Sequence, residues 1–285
     1  MSESDFQEAS QQGWSDSAKR WARAAEEEET GASADAAAWM LDVADLHPGE
    51  RVLELACGAG RVGLQAASMV GPDGAVLCSD FSEAMVAAVD ERIARMGLTN
   101  ADTRILDAHH LALGEGETFD LVLCRFGYML MADPLQALTE SGRVLRPGGR
   151  LVLAVWGSAE KNPWISTIFD AVMTHLNAPP PEPGTPGPFS LSAAGHLQEM
   201  LERAELAEVD ITEIETEQTY ESLEAWWEYL REVSGPLTAL LAALPDADLK
   251  AIRTAAVSGA QDFMADDGSV VFPAAVVGAK ARKPA

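Results

Sequence analysis

A glycine-rich segment with one acidic residue is the part of the sequence best suited to bind a ligand. Residues 53–63 read LELACGAGRVG, in which Gly58, Gly60 and Gly63 form the pattern G-x-G-x-x-G. Glycines between a strand and a helix let backbone N–H groups at the helix N-terminus approach an anionic group. Because a pyrophosphate and a carboxylate would fit equally well, the glycines alone leave a nicotinamide dinucleotide and other ligands open.

Glu54 separates these ligands better, because it lies four residues before the first glycine in the short apolar segment 51–56. A strand buried on both faces normally consists of Val, Ile and Leu, and a buried carboxylate is costly without a cationic partner. S-adenosylmethionine carries an ammonium and a sulfonium group that would supply this charge. An ion pair with Arg51 or Arg61 is the purely structural alternative.

Two further carboxylates end the next predicted strands. Asp80 ends a strand at 75–80, where an acidic side chain can accept hydrogen bonds from both ribose hydroxyls of either cofactor. Asp107 ends a strand at 102–107 and could accept the amino group of an adenine, or cap the short turn that follows. Three acidic strand ends favour a cationic nucleoside over a pyrophosphate ligand.

The composition limits the partners that this protein can have. Its 285 residues include 20 Lys plus Arg and 45 Asp plus Glu, a formal net charge of −25. Such a field repels a phosphate backbone, so we expect no nucleic-acid partner. No uncharged apolar segment approaches the ~20 residues that span a bilayer, and the polar, acidic start does not resemble a signal peptide. We therefore expect no membrane insertion and a cytoplasmic location.

Cysteines and histidines show no metal-binding pattern. The three cysteines have no C-x-x-C spacing, which favours reduced thiols, and the histidines outside segment 106–111 are widely separated. These residues are Cys57, Cys78, Cys124, His47, His175 and His196. We predict no metal site.

The order of predicted elements indicates an α/β fold. Two helices at 14–29 and 35–46 come before the first strand. Predicted strands cover 51–56, 75–80, 102–107, 118–125, 149–156, 206–220 and 269–282. Predicted helices cover 60–70, 82–96, 134–145, 163–177 and 190–204, with a helical insertion at 221–265. This order predicts a Rossmann-like, seven-stranded, mostly parallel sheet with helices on both faces and an antiparallel last strand.

Three regions follow from this order. Residues 1–45 are predicted to form a helical lid, and residues 46–160 the cofactor-binding core. Residues 161–285 are predicted to complete the sheet and to carry helical substrate-cap insertions at about 161–190 and 221–265. Segment 178–188 is rich in proline and is expected to be an exposed loop.

Five segments carry a resemblance to a known family. They are PGERVLELACGAG (48–60), SDFSEAM (79–85), LDAHHL (106–111), FDLVLCRFGYMLMADP (119–134) and RVLRPGG (143–149). In this order the chain resembles class I S-adenosylmethionine-dependent methyltransferases over about residues 46–157. It is most similar to the group that includes the ubiquinone and menaquinone C-methyltransferases, of the methyltransferase type 11 kind.

The resemblance implies an enzyme that uses S-adenosylmethionine and releases S-adenosylhomocysteine. It implies that the methionine part of the cofactor contacts Glu54, Ala56, Cys57, Gly58 and Gly60. It also implies that Asp80 binds the ribose and that Phe81 and Met85 lie against the adenine or the ribose. Asp107 and Ala108 are expected to contact the adenine. Arg125 is also expected at the cofactor. Ala56 departs from the family pattern, which has glycine at this position.

The acceptor of the methyl group is expected beside the cofactor, because ligands of open α/β sheets bind outside the carboxyl ends of the strands. Candidate contacts with a flat, apolar acceptor are Trp14, Trp21, Phe126, Tyr128, Trp164, Phe189 and Trp226, and ordinary core packing is the alternative for each aromatic stripe. His109 and His110 are candidate bases, or solvated loop residues.

Three functions remain open at this point. The first is methyl transfer from S-adenosylmethionine to an O, N or C atom of a small, apolar or aromatic metabolite. The second is a nicotinamide-dependent oxidoreductase, which rests on the glycine pattern alone. The third is a methyltransferase fold that binds the cofactor without methyl transfer. A homodimer is compatible with each.

Overall fold

The computed structural model describes residues 3–27, 30–114, 116–182, 184–233 and 235–285. Within these ranges seven strands form one sheet in the order β3-β2-β1-β4-β5-β7-β6. The strands are β1 (Arg51–Glu54), β2 (Ala75–Asp80), β3 (Ala101–Ile105), β4 (Phe119–Arg125), β5 (Leu145–Trp156), β6 (Ala207–Tyr220) and β7 (Val270–Arg282). Strand β7 runs antiparallel to both of its neighbours, and the pairs from β3 to β5 are parallel. The predicted fold class is confirmed.

Ten α-helices surround this sheet in the part of the chain that is described. They are α1 (Glu3–Glu27), α2 (Ala32–Ala44), α3 (Arg61–Val70), α4 (Glu83–Met96), α5 (Pro134–Val144), α6 (Pro163–His175), α7 (Ala194–Arg203), α8 (Leu223–Val233), α9 (Gly235–Ala242) and α10 (Asp246–Gly259). Helix α1 begins eleven residues before the predicted start at residue 14, since no proline interrupts the preceding segment. Among the described residues, no helix has the length and apolarity that a bilayer span requires.

The direction in which the chain adds strands changes between β1 and β4. From β1 the chain adds β2 and β3 toward one edge, and from β4 it adds β5 toward the other. Because crossovers between parallel strands are right-handed, α3 and α4 cover one face and α5 covers the opposite face. The reversal leaves a crevice at the carboxyl ends of β1 and β4, where open α/β sheets bind their ligands.

A buried ion pair fixes the start of β1 to β5. Arg150 donates to both carboxylate oxygens of Glu50, over 2.8 and 2.7 Å, and to the backbone carbonyl of Asp45 over 3.3 Å. Glu50 also accepts a hydrogen bond from the backbone N–H of His47. Burial raises the pKa of Glu50, but the Arg150 and His47 contacts outweigh this effect and the net pKa is lowered. The pair therefore holds the chain entering β1, and with it the position of the site at the other end of that strand.

We predict that Glu50→Ala lowers the free energy of unfolding by about 3–5 kcal/mol, because it leaves the Arg150 guanidinium buried without its partner. Arg146→Ala is the matched control. It removes a salt bridge to Asp120 from a side chain that is 49% exposed, and should cost less than about 1 kcal/mol. Urea unfolding of both variants checks this, and equal losses would contradict the role given to the buried pair.

Candidate functional site

A cavity of about 320 Å³ lies at the carboxyl ends of the central strands. Its lining includes Glu54, Asp80 and Asp107, which stand at or after the ends of β1, β2 and β3, and Phe126 and Trp156 from the ends of β4 and β5. Because the strand order runs β3-β2-β1-β4-β5, carboxylates line one end of the cavity and aromatic rings the other. This volume is within the range of small-molecule sites.

The structure brings most of the residues predicted from the sequence to this cavity. Those that line it are Glu54, Ala56, Cys57, Gly58, Asp80, Phe81, Met85, Asp107, Ala108, His109, Arg125, Trp14, Trp21, Phe126 and Trp164. Five others do not line it: Gly60, His110, Tyr128, Phe189 and Trp226.

Gly60 and His110 lie next to the cavity lining without joining it. Gly60 has a φ of 71° at the start of α3, and a Cβ there would lie 3.0 Å from Val89 Cγ1, so this glycine packs the loop against α4. His110 is exposed, and its backbone N–H donates to the carbonyl of Asp107. The His110 side chain lies outside the cavity lining, and its role as a general base stays a prediction.

The three aromatic residues outside the lining support it from behind. Tyr128 is completely buried and shares a 2.6 Å hydrogen bond with Ser141 Oγ. Trp226 is also completely buried, and its indole N–H donates to the carbonyl of Trp164. Phe189 packs against the core in a loop whose Ser190 hydroxyl donates to the carbonyl of Met129. All three lie outside the cavity lining, and their direct contact with the acceptor stays a prediction.

The Glu54 carboxylate is buried at the end of β1, with 2% of the residue exposed. Its Oε2 accepts a 2.9 Å hydrogen bond from the backbone N–H of Gly63, in the first turn of α3. Burial raises the pKa of Glu54 to about 7, while the Gly63 N–H and the charge of Arg125 act in the opposite direction. The basic residue whose charge lowers the Glu54 pKa is Arg125, not the Arg51 or Arg61 considered from the sequence.

Gly63 is required for the approach of Glu54 to the helix. A Cβ at this position would lie 2.4 Å from Glu54 Oε2 and 2.6 Å from Cys78 Sγ. The third glycine of the G-x-G-x-x-G pattern therefore makes room for a buried carboxylate and lets α3 pack closely on β1 and β2.

Asp80 ties the glycine loop to the end of β2. Its two carboxylate oxygens accept hydrogen bonds from the backbone N–H groups of Gly58 and Ser82, each over 3.0 Å. Burial raises the pKa of Asp80 to about 6, although these backbone hydrogen bonds act to lower it. Asp80 thus shapes the loop and lines the cavity at the same time.

Left-handed backbone gives the glycine loop its path from β1 to α3. Ala56 has a φ of 48° and Gly58 a φ of 52°. An L-residue in this conformation is strained by about 1–2 kcal/mol, so glycine would be the less costly residue at position 56. The Ala56 methyl group contributes packing instead: a Cβ on Gly127 would lie 2.7 Å from it.

The cysteine in this loop is buried, and its environment favours the neutral thiol. Cys57 is buried, and its thiol lies 3.6 Å from the carbonyl of Gly58. Burial raises the pKa of the Cys57 thiol well above its usual value, and the nearby Cys78, Asp80 and Glu54 act in the same direction. A neutral thiol has little nucleophilicity.

Three aromatic rings form a continuous wall at the other end of the cavity. Phe126 stacks on Trp156 with centroids 3.9 Å apart and an interplanar angle of 14°, and Trp164 meets Trp156 edge-on at 5.0 Å. Phe126 has a φ of 59°, an uncommon conformation for a bulky side chain. Asn162, which is completely buried, accepts the indole N–H of Trp164 and holds it in place.

Segments far apart in sequence cover the cavity. On α1, Gln11 donates to the carbonyl of Phe81 over 2.6 Å, and Ser15 is hydrogen-bonded to Ser82. On the other side, the backbone N–H of Gly187 donates to the carbonyl of Met129. Whether these segments open and close as lids stays a prediction.

Several lining residues were missed from the sequence. They include Ser33, Trp156, Ile165, Phe169, Gln218, Tyr229 and Leu237. A signal existed for Trp156, because it ends a predicted strand at the edge where the ligand was expected. Ser33 accepts a hydrogen bond from Arg125 across 92 residues of sequence, and no local pattern indicates such a contact.

Comparison with known proteins assigns the family. Residues 46–205, more than half of the chain, match the family model described as a methyltransferase domain. The chain belongs to this family. The resemblance to class I S-adenosylmethionine-dependent methyltransferases is thereby confirmed, and the family assignment does not favour the oxidoreductase alternative.

Similar proteins include enzymes of quinone biosynthesis. A demethylmenaquinone methyltransferase from Bacillus cytotoxicus is 34% identical over 118 residues, which are 40% of this chain and 49% of that protein. A ubiquinone/menaquinone biosynthesis C-methyltransferase from Ectopseudomonas mendocina is 32% identical over 133 residues, 46% of this chain and 51% of that protein. The chain therefore spans about half the length of the curated relatives that it matches.

A solved structure supports the fold over a longer range. The crystal structure of a candidate methyltransferase from Bacillus halodurans has a TM-score of 0.57 and 22% identity, and the match covers 87% of this chain and 99% of that one. At this identity the likeness shows the shared Rossmann-like methyltransferase fold.

We predict that Gly63→Ala lowers the free energy of unfolding by about 1–3 kcal/mol, because the new methyl group would overlap Glu54 and Cys78. Gly195→Ala is the matched control, since it also lies in the first turn of a helix but meets nothing within 4 Å. The control should keep or gain stability, by up to about 1 kcal/mol. Urea unfolding midpoints distinguish the two, and a neutral Gly63→Ala would contradict the tight contact.

We predict that Glu54→Gln makes the stability of the folded protein less sensitive to rising pH. Because the folded-state pKa of Glu54 is raised to about 7 from 4.5, the stability gained by its protonation is present below about pH 4.5 and is lost as the pH rises through 7. The whole difference is on the order of 3 kcal/mol. Thermal unfolding of the ligand-free protein should show a steeper fall in Tm between pH 5 and 7.5 for wild type than for Glu54→Gln.

The exposed Glu199→Gln serves as the control for this measurement and should follow the wild-type pH dependence. Parallel curves for wild type and Glu54→Gln would show that the Glu54 carboxylate does not titrate in this range. The Asp80 carboxylate, with its pKa raised to about 6, is present in all three proteins, and its charge is a smaller cause of the raised Glu54 pKa than burial.

Proposed function

We propose that this protein binds S-adenosylmethionine at the acidic end of the cavity and transfers its methyl group to a small, apolar or aromatic acceptor at the other end. The observation that carries the proposal is the buried Glu54 carboxylate, whose pKa burial raises to about 7. A cationic ligand beside it would favour the ionised form, whereas the pyrophosphate of a dinucleotide would add charge of the same sign.

The other carboxylates suit the remaining parts of the cofactor. Each Asp80 oxygen already accepts one backbone hydrogen bond, and an ionised carboxylate has further lone pairs for two ribose hydroxyls. The Asp107 side chain is 34% exposed, and an adenine amino group could donate to it. Phe81 and Met85 supply apolar surface for the purine ring.

The aromatic end suits a flat acceptor. A planar ring can pack on the wall formed by Phe126, Trp156 and Trp164, since aromatic rings favour offset stacking and edge-to-face contacts. Bound S-adenosylmethionine supplies an electrophilic methyl carbon on a sulfonium. The residues of this chain then contribute mainly by holding the acceptor in line and excluding water, and positioning of this kind can account for much of an acceleration.

The atom that accepts the methyl group is proposed only as O, N or C. The relative from Ectopseudomonas mendocina is named a C-methyltransferase, so carbon is one candidate for this chain. We further propose that α1 and the segment 184–190 cover the bound ligands. A cytoplasmic location, the lack of a nucleic-acid partner and a homodimer stay predictions.

We predict that S-adenosylhomocysteine binds the wild-type protein with micromolar affinity in isothermal titration. Glu54→Gln and Asp80→Asn should each weaken binding about tenfold or more, because each removes a charged partner of the ligand. Glu199→Gln, on the exposed face of α7, should bind like wild type. NADH should bind more weakly than S-adenosylhomocysteine.

A folded wild-type protein that binds NADH but not S-adenosylhomocysteine would overturn the proposal in favour of the oxidoreductase. Transfer of label from methyl-labelled S-adenosylmethionine to a panel of hydroxylated aromatic compounds then tests the reaction itself. Binding without transfer to any acceptor in the panel would favour a fold that keeps the cofactor without methyl transfer.

A further inference from the structure

His109 lies between the end of β3 and the start of α5, and both of its ring nitrogens have a partner. Its Nδ1 is 2.7 Å from Asp107 Oδ1, and its Nε2 accepts the backbone N–H of Asp133 over 3.3 Å. The Gln136 side chain donates to the carbonyl of His109 over 3.2 Å. The side chain is 12% exposed, so the ring is held on several sides.

These contacts determine which nitrogen of the ring carries the proton. A backbone N–H can only donate, so Nε2 must be the unprotonated nitrogen when it accepts from Asp133. In the neutral imidazole the proton is then on Nδ1, from which it is donated to Asp107 Oδ1. The lone pair that a general base would need is already used by a backbone group.

The same contacts fix the orientation of the Asp107 carboxylate. Oδ1 receives two donors from His109, the ring Nδ1–H and the backbone N–H over 2.9 Å. Two donors on one oxygen limit the rotation of the side chain, and 34% of this side chain remains exposed. Asp107 therefore presents an acceptor of defined direction, beside apolar surface from Leu106 and Ala108.

We infer that His109 is a positioning residue, which orients Asp107 to accept the exocyclic amino group of the purine ring, and not the base that deprotonates the methyl acceptor. The inference rests on the proposed function, because it assigns the purine to S-adenosylmethionine. An ionised carboxylate can accept hydrogen bonds but cannot donate them, so the group that it recognises must be a donor. The 6-amino group is the exocyclic donor of adenine. His109 thus sets the selectivity for adenine.

The test compares two ligands on four proteins. The ligands are S-adenosylhomocysteine and its 6-deamino analogue, in which hydrogen replaces the amino group of the adenine. The proteins are wild type, His109→Asn, His109→Gln and His109→Ala. Asparagine can place an N–H near the position of the histidine Nδ1, whereas glutamine reaches the position of Nε2 and lacks the donor to Asp107.

Wild type should bind the adenosyl ligand about tenfold or more tightly than the deamino ligand, as expected for one hydrogen bond to a charged group. His109→Asn should keep this ratio within about threefold of wild type. His109→Gln and His109→Ala should reduce the ratio to about three or less, mainly by weakening the binding of the adenosyl ligand. A purely structural role would weaken both ligands together and leave the ratio unchanged.

The outcomes separate the inference from the proposed function. If wild type binds S-adenosylhomocysteine and the ratio is the same in all four proteins, the inference is overturned while the cofactor site stands. If His109→Gln keeps the ratio and His109→Asn loses it, the Asp133 contact matters more than the Asp107 contact and the inference is again overturned. If folded wild type binds neither ligand, the proposed function fails first, and the inference with it. Melting temperatures establish that each variant is folded, and His109→Ala gives the answer if His109→Gln does not fold.

Discussion

The buried contact between the Glu54 carboxylate and the backbone N–H of Gly63 connects the sheet, the glycine loop and the cavity. It places a negative charge at the end of β1, where burial works against ionisation and raises the pKa to about 7. This unfavourable burial of a charge occurs where β1, the glycine loop and α3 meet. The hydrogen bond forms only if α3 lies close enough to β1 for the helix N–H to reach the Glu54 carboxylate. Costly buried charges of this kind are concentrated at functional sites.

The polarity of the cavity follows from the topology of the sheet. Strands added on one side of β1 contribute Asp80 and Asp107 at their ends, and strands added on the other side contribute Phe126 and Trp156. In the proposed function, S-adenosylmethionine would have its charged and hydroxylated parts over β1 to β3 and its methyl group over β4. The division between an acidic end and an aromatic end therefore needs no separate domain.

Several side chains at the site form hydrogen bonds with backbone groups. Asp80 accepts from the backbone N–H groups of Gly58 and Ser82, and Asp107 accepts from that of His109. The Asn162 amide donates to the backbone carbonyls of Ser158 and Ala275. Such bonds keep the functional groups in place at the cavity. The acidic loops and the aromatic wall are therefore preorganised for ligands of definite shape and charge.

The sequence by itself determined the order of strands and helices, the position of the glycine loop and the three acidic strand ends. These features follow from local periodicity and from residue types whose chemistry does not depend on distant neighbours. Only the tertiary structure decided that Glu54 accepts a hydrogen bond from the Gly63 N–H, that His109 has both ring nitrogens occupied, and that the Trp226 indole donates to the Trp164 carbonyl. Periodicity shows which side chains face inward, but the partner that each one meets depends on how elements far apart in the chain pack together.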